Sequence, residues 1–171
     1  CIVLRKPDTN IVDLISSFNH EVKELVSMNR GKNKSVNSRT YCDWLSVSQA
    51  QDAQETLDII CDFKPDWVIV DHYALDATWF EIVKESQARI LVIDDLGNRQ
   101  LICDLLLDQN LGACVEKYHG KVSKNCKLLM GPQFALLRNE FKEWREHSLT
   151  GRFNRNIENI LVTMGGVDTE N

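Results

Sequence analysis

The chain has 171 residues, of which 43% are hydrophobic and 26% charged, and its formal net charge is −5. That length supports one real core but is short for two full-sized domains, and the composition is ordinary for a globular protein. The acidic balance argues against a nucleic-acid partner, which needs clustered Lys and Arg.

The elements follow in order. Residues 1–5 read as a strand and Pro7 to Asn10 as a turn. Glu21 to Val26 reads as a second short strand. The stretch from Arg30 to Arg39 is basic but interleaved with Asn and Ser, and reads as a solvated surface loop. Ser48 with Gln51 matches a capping box, which starts a helix at Gln49. Ala53, Leu57, Ile60 and Cys61 share one face of it, and Pro65 stops it. Trp67 to Val70 is an apolar run bounded by polar residues, which suits a strand buried on both faces. Asp76 caps a further helix with Trp79, Ile82 and Val83 on its inner stripe.

Arg89 to Ile93, Leu105 to Leu107 and Cys126 to Met130 are the next strands. Leu137, Phe141 and Trp144 recur at helical spacing, so Arg138 to His147 is an amphipathic helix. Gly151 to Asn156 reads as a linker, and Ile157 begins a new strand that runs into Gly165-Gly166. Strands alternating with helices predict an α/β fold with a mainly parallel sheet. The residues divide into 1–150 for that layer, 151–156 for a linker, and 157–171 for something new. An opening strand already under way and a closing glycine turn with no helix after it are expected of a piece of a longer protein.

No apolar run is long enough to cross a bilayer and no signal peptide is visible, so no membrane partner is expected. The six cysteines form no C-x-x-C pair and sit at no metal-finger spacing from a histidine. They read as reduced thiols packed as small apolar residues, which suits a cytoplasmic location.

The chemistry gathers at strand ends. In open parallel sheets, ligands bind beyond the carboxyl ends of the strands. Val70 runs into Asp71-His72-Tyr73, Ile93 into Asp94-Asp95, and Leu107 into Asp108-Gln109-Asn110. Side chains alternate along a strand, so Asp71 and Tyr73 share a face and His72 opposes them. An imidazole beside a carboxylate can move protons near neutral pH; equally, His72 can simply bond a neighbouring main-chain group. Asp94 and Asp95 can join Asp71 and His72 around a metal, or hold the turn Leu96-Gly97-Asn98 through side-chain to backbone bonds. Gly165-Gly166 after a strand suits a phosphate or a hairpin.

Taken in order, these segments resemble a known family. They are Trp44-Leu45 with Gln51-Asp52-Ala53, Asp66 through Tyr73, Ile93-Asp94-Asp95, and Asp104 through Asn110. Gly131-Pro132 with Ala135-Leu136-Leu137-Arg138 and Phe141, and Met164 through Asp168, complete the series. The family is the UDP-sugar hydrolases of pseudaminic acid biosynthesis, whose relatives are often labelled spore-coat or polysaccharide biosynthesis proteins. The resemblance implies a GT-B architecture with a UDP-sugar between two Rossmann-like domains. It implies water attack at the anomeric carbon, departure of UDP, and no metal or other cofactor. It places Tyr73 near the sugar and the attacking water, and Asp71, His72, Asp95, Gln109 and Asn110 in matching segments of the sugar side. It makes 157–171 the first strand and glycine loop of the second of these domains, and Gly165 and Gly166 fall near the diphosphate.

The family's first strand and its Gly-His loop, which carries the catalytic base, have no counterpart in these residues. Cys1 aligns with the second strand of the fold, and an exposed sheet edge favours self-association. A glycosyltransferase of the same fold and a sugar-nucleotide binding module without chemistry are the rival readings, with a metal phosphohydrolase last.

Overall fold

A computed structural model describes residues 1–5, 9–25, 41, 45–152 and 160–162. Contacts divide the chain into two units, Cys1–Ala135 and Leu136–Asn171. The expectations for residues 26–40, for Trp44 and for Gly165-Gly166 lie outside the described residues.

Local signals set the element boundaries of the first unit. Ser48 is extended, and its hydroxyl accepts from the Gln51 N–H at 3.2 Å, opening α2 (Gln49–Phe63). The Gln51 side chain turns instead to Glu55, at 2.9 Å, so only half of the capping box forms. Lys64 ends the helix in the left-handed region, and its N–H bonds the Ile60 carbonyl one residue before Pro65. Asp76 caps α3 (Ala77–Val83) by accepting from the Thr78 N–H at 2.9 Å. Gln49 clamps that cap, donating to the Asp76 carboxylate and accepting its N–H. Ala53, Leu57 and Ile60 are buried as the periodicity predicts, whereas Cys61 is exposed. Its position on the edge of the helical stripe carries it past the core.

Two parallel sheets form among the described residues. β1 (Ile2–Arg5) pairs with β2 (Val22–Leu25), joined through α1 (Thr9–Ser17). β3 (Trp67–Val70), β4 (Arg89–Ile93), β5 (Leu105–Asp108) and β6 (Lys127–Met130) lie side by side in sequence order. The architecture is α/β and Rossmann-like. Val70, Val92 and Leu106 are in register and point to one face, where they pack with Trp79, Phe80 and Tyr118. After β4 the alternation with helices stops. The crossover from β5 to β6 carries only a 3-10 turn (Val115–Tyr118), and its Tyr118 fills the core where a helix would pack.

The expectation that β3 is buried on both faces is corrected. Trp67 is 37% and Ile69 66% exposed, while Val70 is buried. Among the described residues, β3 has a hydrogen-bonded neighbour on its β4 side alone, and α2 and α3 pack on the Val70 face.

In the second unit, α4 (Asn139–Arg152) forms where the apolar spacing predicts and runs past Gly151. Its stripe of Leu137, Phe141 and Trp144 is exposed, as is Ile160–Val162.

Candidate functional site

The register of the parallel strands sets the site. Val70 pairs with Val92, and Ile93 with Leu107, so β3, β4 and β5 end within two residues of one another. The period of two then sorts the residues that follow them. Asp71, Tyr73, Asp95 and Gln109 line one small cavity of about 200 Å³, together with Asp94, Asn110, Ile93 and Leu107. His72 lines a different hollow, which Asp71 also borders. His72 is thus separated from Tyr73, while Asp71 borders both spaces.

Asp95 is the hub of this cavity. The Tyr73 hydroxyl donates to its Oδ1 at 2.7 Å, and the Asn110 side-chain amide donates to its Oδ2 at 3.0 Å. The bond to Asp95, together with burial, raises the Tyr73 phenol well above its ordinary pKa. Tyr73 is therefore a neutral phenol across the physiological range. A phenol whose proton is committed to a carboxylate meets a ligand as an acceptor oxygen. The Tyr41 ring packs against Tyr73 with centroids 5.1 Å apart.

The buried acids do different work. Asp94 has one oxygen on Arg99 at 2.6 Å and the other on the N–H groups of Leu96 and Gly97. Of the two aspartates, Asp94 is thus the one that holds the turn. Arg99 also donates to the carbonyls of Leu75 and His72, tying the β4 loop to the β3 loop. Asp108 accepts from Lys117 at 2.9 Å, from Tyr118 at 3.0 Å and from the Asn110 N–H at 3.2 Å. Burial opposes ionisation of Asp108, but these donors outweigh it and hold the carboxyl below its ordinary pKa. Lys117 also bonds the Asp95 carbonyl, and the single Tyr118 O–H is shared between Asp108 and the Asp94 carbonyl at 2.8 Å, so the network behind the cavity fixes the main chain of its hub.

His72 takes the bland alternative. Its Nδ1 accepts from the Ala74 N–H at 3.1 Å, and burial holds its pKa below the ordinary value. It closes the β3 loop in its neutral form. Among the described residues, no group of three or more His, Cys, Asp or Glu is placed to hold a metal ion. Nor is any helix among them long and apolar enough to cross a membrane.

Arg99, Lys117, Tyr118 and Tyr41 had no signal in the sequence. Lys117 and Tyr118 sit in a 3-10 turn with no periodic pattern, and they act over long sequence separations.

With 200 Å³, the cavity is smaller than the roughly 300–1,000 Å³ that encloses a whole small-molecule ligand, and it has room for part of one. An acceptor-rich rim of carboxylate, phenol and amides suits hydroxyls, acylamino N–H groups or water.

No family model matches the chain. It is similar to the UDP-2,4-diacetamido-2,4,6-trideoxy-beta-L-altropyranose hydrolase of Campylobacter jejuni, 29% identical over 118 residues, which are 68% of this chain and 41% of that protein. It is also similar to the uncharacterized protein MJ1062 of Methanocaldococcus jannaschii, 26% identical over 128 residues, 73% of this chain and 26% of that one. The chain thus spans less than half the length of the curated relatives it matches.

Proposed function

We propose that the chain carries the sugar-side half of a nucleotide-sugar hydrolase. In this reading the full-length protein releases UDP from a UDP-linked diacetamido-trideoxy sugar by water attack at the anomeric carbon. The observation that carries the proposal is the convergence of Tyr73, Asp95 and Asn110 on one cavity at the carboxyl rim of β3–β5. The likeness to the Campylobacter hydrolase supplies the substrate class.

The chemistry assigned to the rim is positioning. Asp95 fixes Tyr73 and Asn110, and the Tyr73 oxygen accepts a hydrogen bond from the attacking water or a sugar hydroxyl. Orienting a nucleophile in this way contributes through proximity rather than through proton transfer. The base that takes the water's proton is assigned to a histidine outside residues 1–171, as the family resemblance implies. The diphosphate is assigned to a glycine loop at Gly165 and Gly166.

The test is hydrolysis of the UDP-sugar by the full-length protein in oxygen-18 water with chelator present. Attack at the anomeric carbon breaks the C–O bond, so the label appears in the free sugar and UDP stays unlabelled. Label in UDP, or release that chelator abolishes, contradicts the proposal. No release without an added acceptor identifies a glycosyltransferase instead.

A further inference from the structure

Cys103 and Cys126 stand 23 positions apart in sequence, with their Sγ atoms 3.5 Å apart. Cys103 is buried in the core, and Cys126 is half-buried against it. Cys1, Cys61 and Cys114, by contrast, are exposed. The pair lies just before β5 and β6, at the amino end of the sheet and away from the candidate site.

The main chain around both thiols is clamped. The Asp104 N–H donates to the Ile90 carbonyl at 2.9 Å, and the Asp104 carboxylate accepts the Ile90 N–H at 2.8 Å. The Asp104 carbonyl accepts the Lys127 N–H at 2.9 Å, which ties the residue after Cys103 to the residue after Cys126. The Cys126 N–H bonds the Ser123 carbonyl at 2.9 Å, and the Leu101 N–H bonds the Lys121 carbonyl at 2.8 Å. While these bonds hold, neither thiol can leave the other. An S–S bond is about 2.0 Å long, so each sulfur has roughly 0.7 Å to travel. That is a change of side-chain torsion, not a shift of a strand.

The two sulfurs differ in character. Cys126 is the accessible one, and a hydrogen bond from Cys103 holds its pKa below the ordinary thiol value. The same bond, with burial, pushes the Cys103 thiol up. Disulfide exchange runs through the thiolate, so Cys126 is the entry point and Cys103 the sulfur that resolves.

We propose that Cys103 and Cys126 form a reversible oxidation site, at which a small organic disulfide converts the two thiols into one intramolecular disulfide that fastens β5 to β6. The Cys126 thiolate attacks one sulfur of the small disulfide, whose S–S bond breaks. The first small thiolate leaves and takes up the proton that Cys126 gave to solvent. The Cys103 sulfur then attacks Cys126 Sγ and breaks the mixed S–S bond, and the second small thiolate leaves with the Cys103 proton. Two protein thiols thus lose two electrons and two protons, and the small disulfide gains them as two thiols. The loop so closed carries Asn110 and Lys117, both of which bond Asp95, so oxidation ties that segment down at its root.

The test exposes the native 171-residue protein to millimolar glutathione disulfide. Remaining thiols are then alkylated in denaturant, and the monomer is mapped by mass spectrometry. The expected product is a Cys103–Cys126 cross-link, two hydrogens lighter than the dithiol and reversed by dithiothreitol, while the exposed cysteines carry only mixed disulfides. The linked form should melt roughly 5–10 °C above the dithiol, as a loop of this length closed without native strain does. Cys103→Ala should trap one glutathione on Cys126. Cys126→Ala should leave Cys103 at least tenfold slower to react than Cys61. Absence of the cross-link, a cross-link between other cysteines in its place, or a linked form that melts below the dithiol overturns the proposal. Rapid glutathionylation of Cys103 in Cys126→Ala overturns the assigned order of attack. The wild-type map decides the case even where neither variant folds.

Discussion

Tyr73 and Asp95 stand 22 positions apart in sequence and 2.7 Å apart in space, joined by a phenol-to-carboxylate hydrogen bond. The bond explains why the phenol resists ionisation. Asp95→Asn removes the charge and should bring the Tyr73 pKa down toward its ordinary value of about 10. Titrating the tyrosine ring carbons by NMR checks this. An unchanged Tyr73 curve counts against Asp95 as the cause. A hydrogen bond to a charged group is worth about 1.5–3 kcal/mol, so Tyr73→Phe should lower stability by no more than that.

On the proposed function, the same geometry positions the nucleophile in the full-length protein. Asp95→Ala releases both Tyr73 and Asn110 from their positions, and mispositioning of this kind costs on the order of 100-fold in turnover. The effect should fall on kcat more than on KM. Wild-type kcat in Asp95→Ala removes the hub role.

Acid should destabilise the fold in two steps of the same sign. Burial depresses the His72 pKa, so as pH falls below about 6.5 the unfolded chain binds the proton first and stability declines. Asp108 is depressed as well, so its contribution is complete above its unfolded value of about 3.9 and is lost as pH falls through the folded value. Urea midpoints across pH 3 to 8 should show both steps. His72→Gln should flatten the upper step and leave the lower one. An upper step that survives in His72→Gln belongs to another group.

Much of this architecture was legible beforehand, because local rules set it. Ser48 and Asp76 announce their helices, and apolar runs ending in acids announce β3, β4 and β5. The alternation of side chains sorted Tyr73 from His72 correctly. What local rules could not show was the division between neighbours. Asp94 and Asp95 look alike in sequence, yet the carboxylate of one is taken by Arg99 and the turn, and that of the other by Tyr73 and Asn110. That difference is decided by Arg99, Lys117 and Tyr118, which arrive from loops without periodicity. The uncovered face of β3 was equally hidden, since an apolar run reads the same whether one or both of its faces find a partner.

Gly97 shows how tightly the turn behind the hub is set. It has φ of +55°, and a Cβ there would lie 2.6 Å from Lys117 Cγ. Gly97→Ala is therefore strained twice and should cost about 1–3 kcal/mol, through backbone conformation and displacement of Lys117 from Asp108. Thermal unfolding measures it. A stability equal to wild type means that the turn tolerates a side chain.

The tie between the two sheets is equally specific. Asp52 accepts from both Arg5 and Trp79 and is itself buried. Asp52→Ala strands the buried Trp79 indole N–H and leaves the Arg5 guanidinium on Glu55, and should destabilise by about 1–3 kcal/mol, above a surface ion pair. Chemical denaturation that finds less than about 1 kcal/mol removes this link.

The most direct test of the site is where a sugar nucleotide touches this chain. Titrating the UDP-diacetamido sugar into isotope-labelled protein should shift the Tyr73, Asp95, Gln109 and Asn110 resonances together. Asp66 and Arg89, at the opposite ends of β3 and β4, should stay still. Shifts confined to that opposite end, or no shift at the rim at millimolar ligand, would contradict the account.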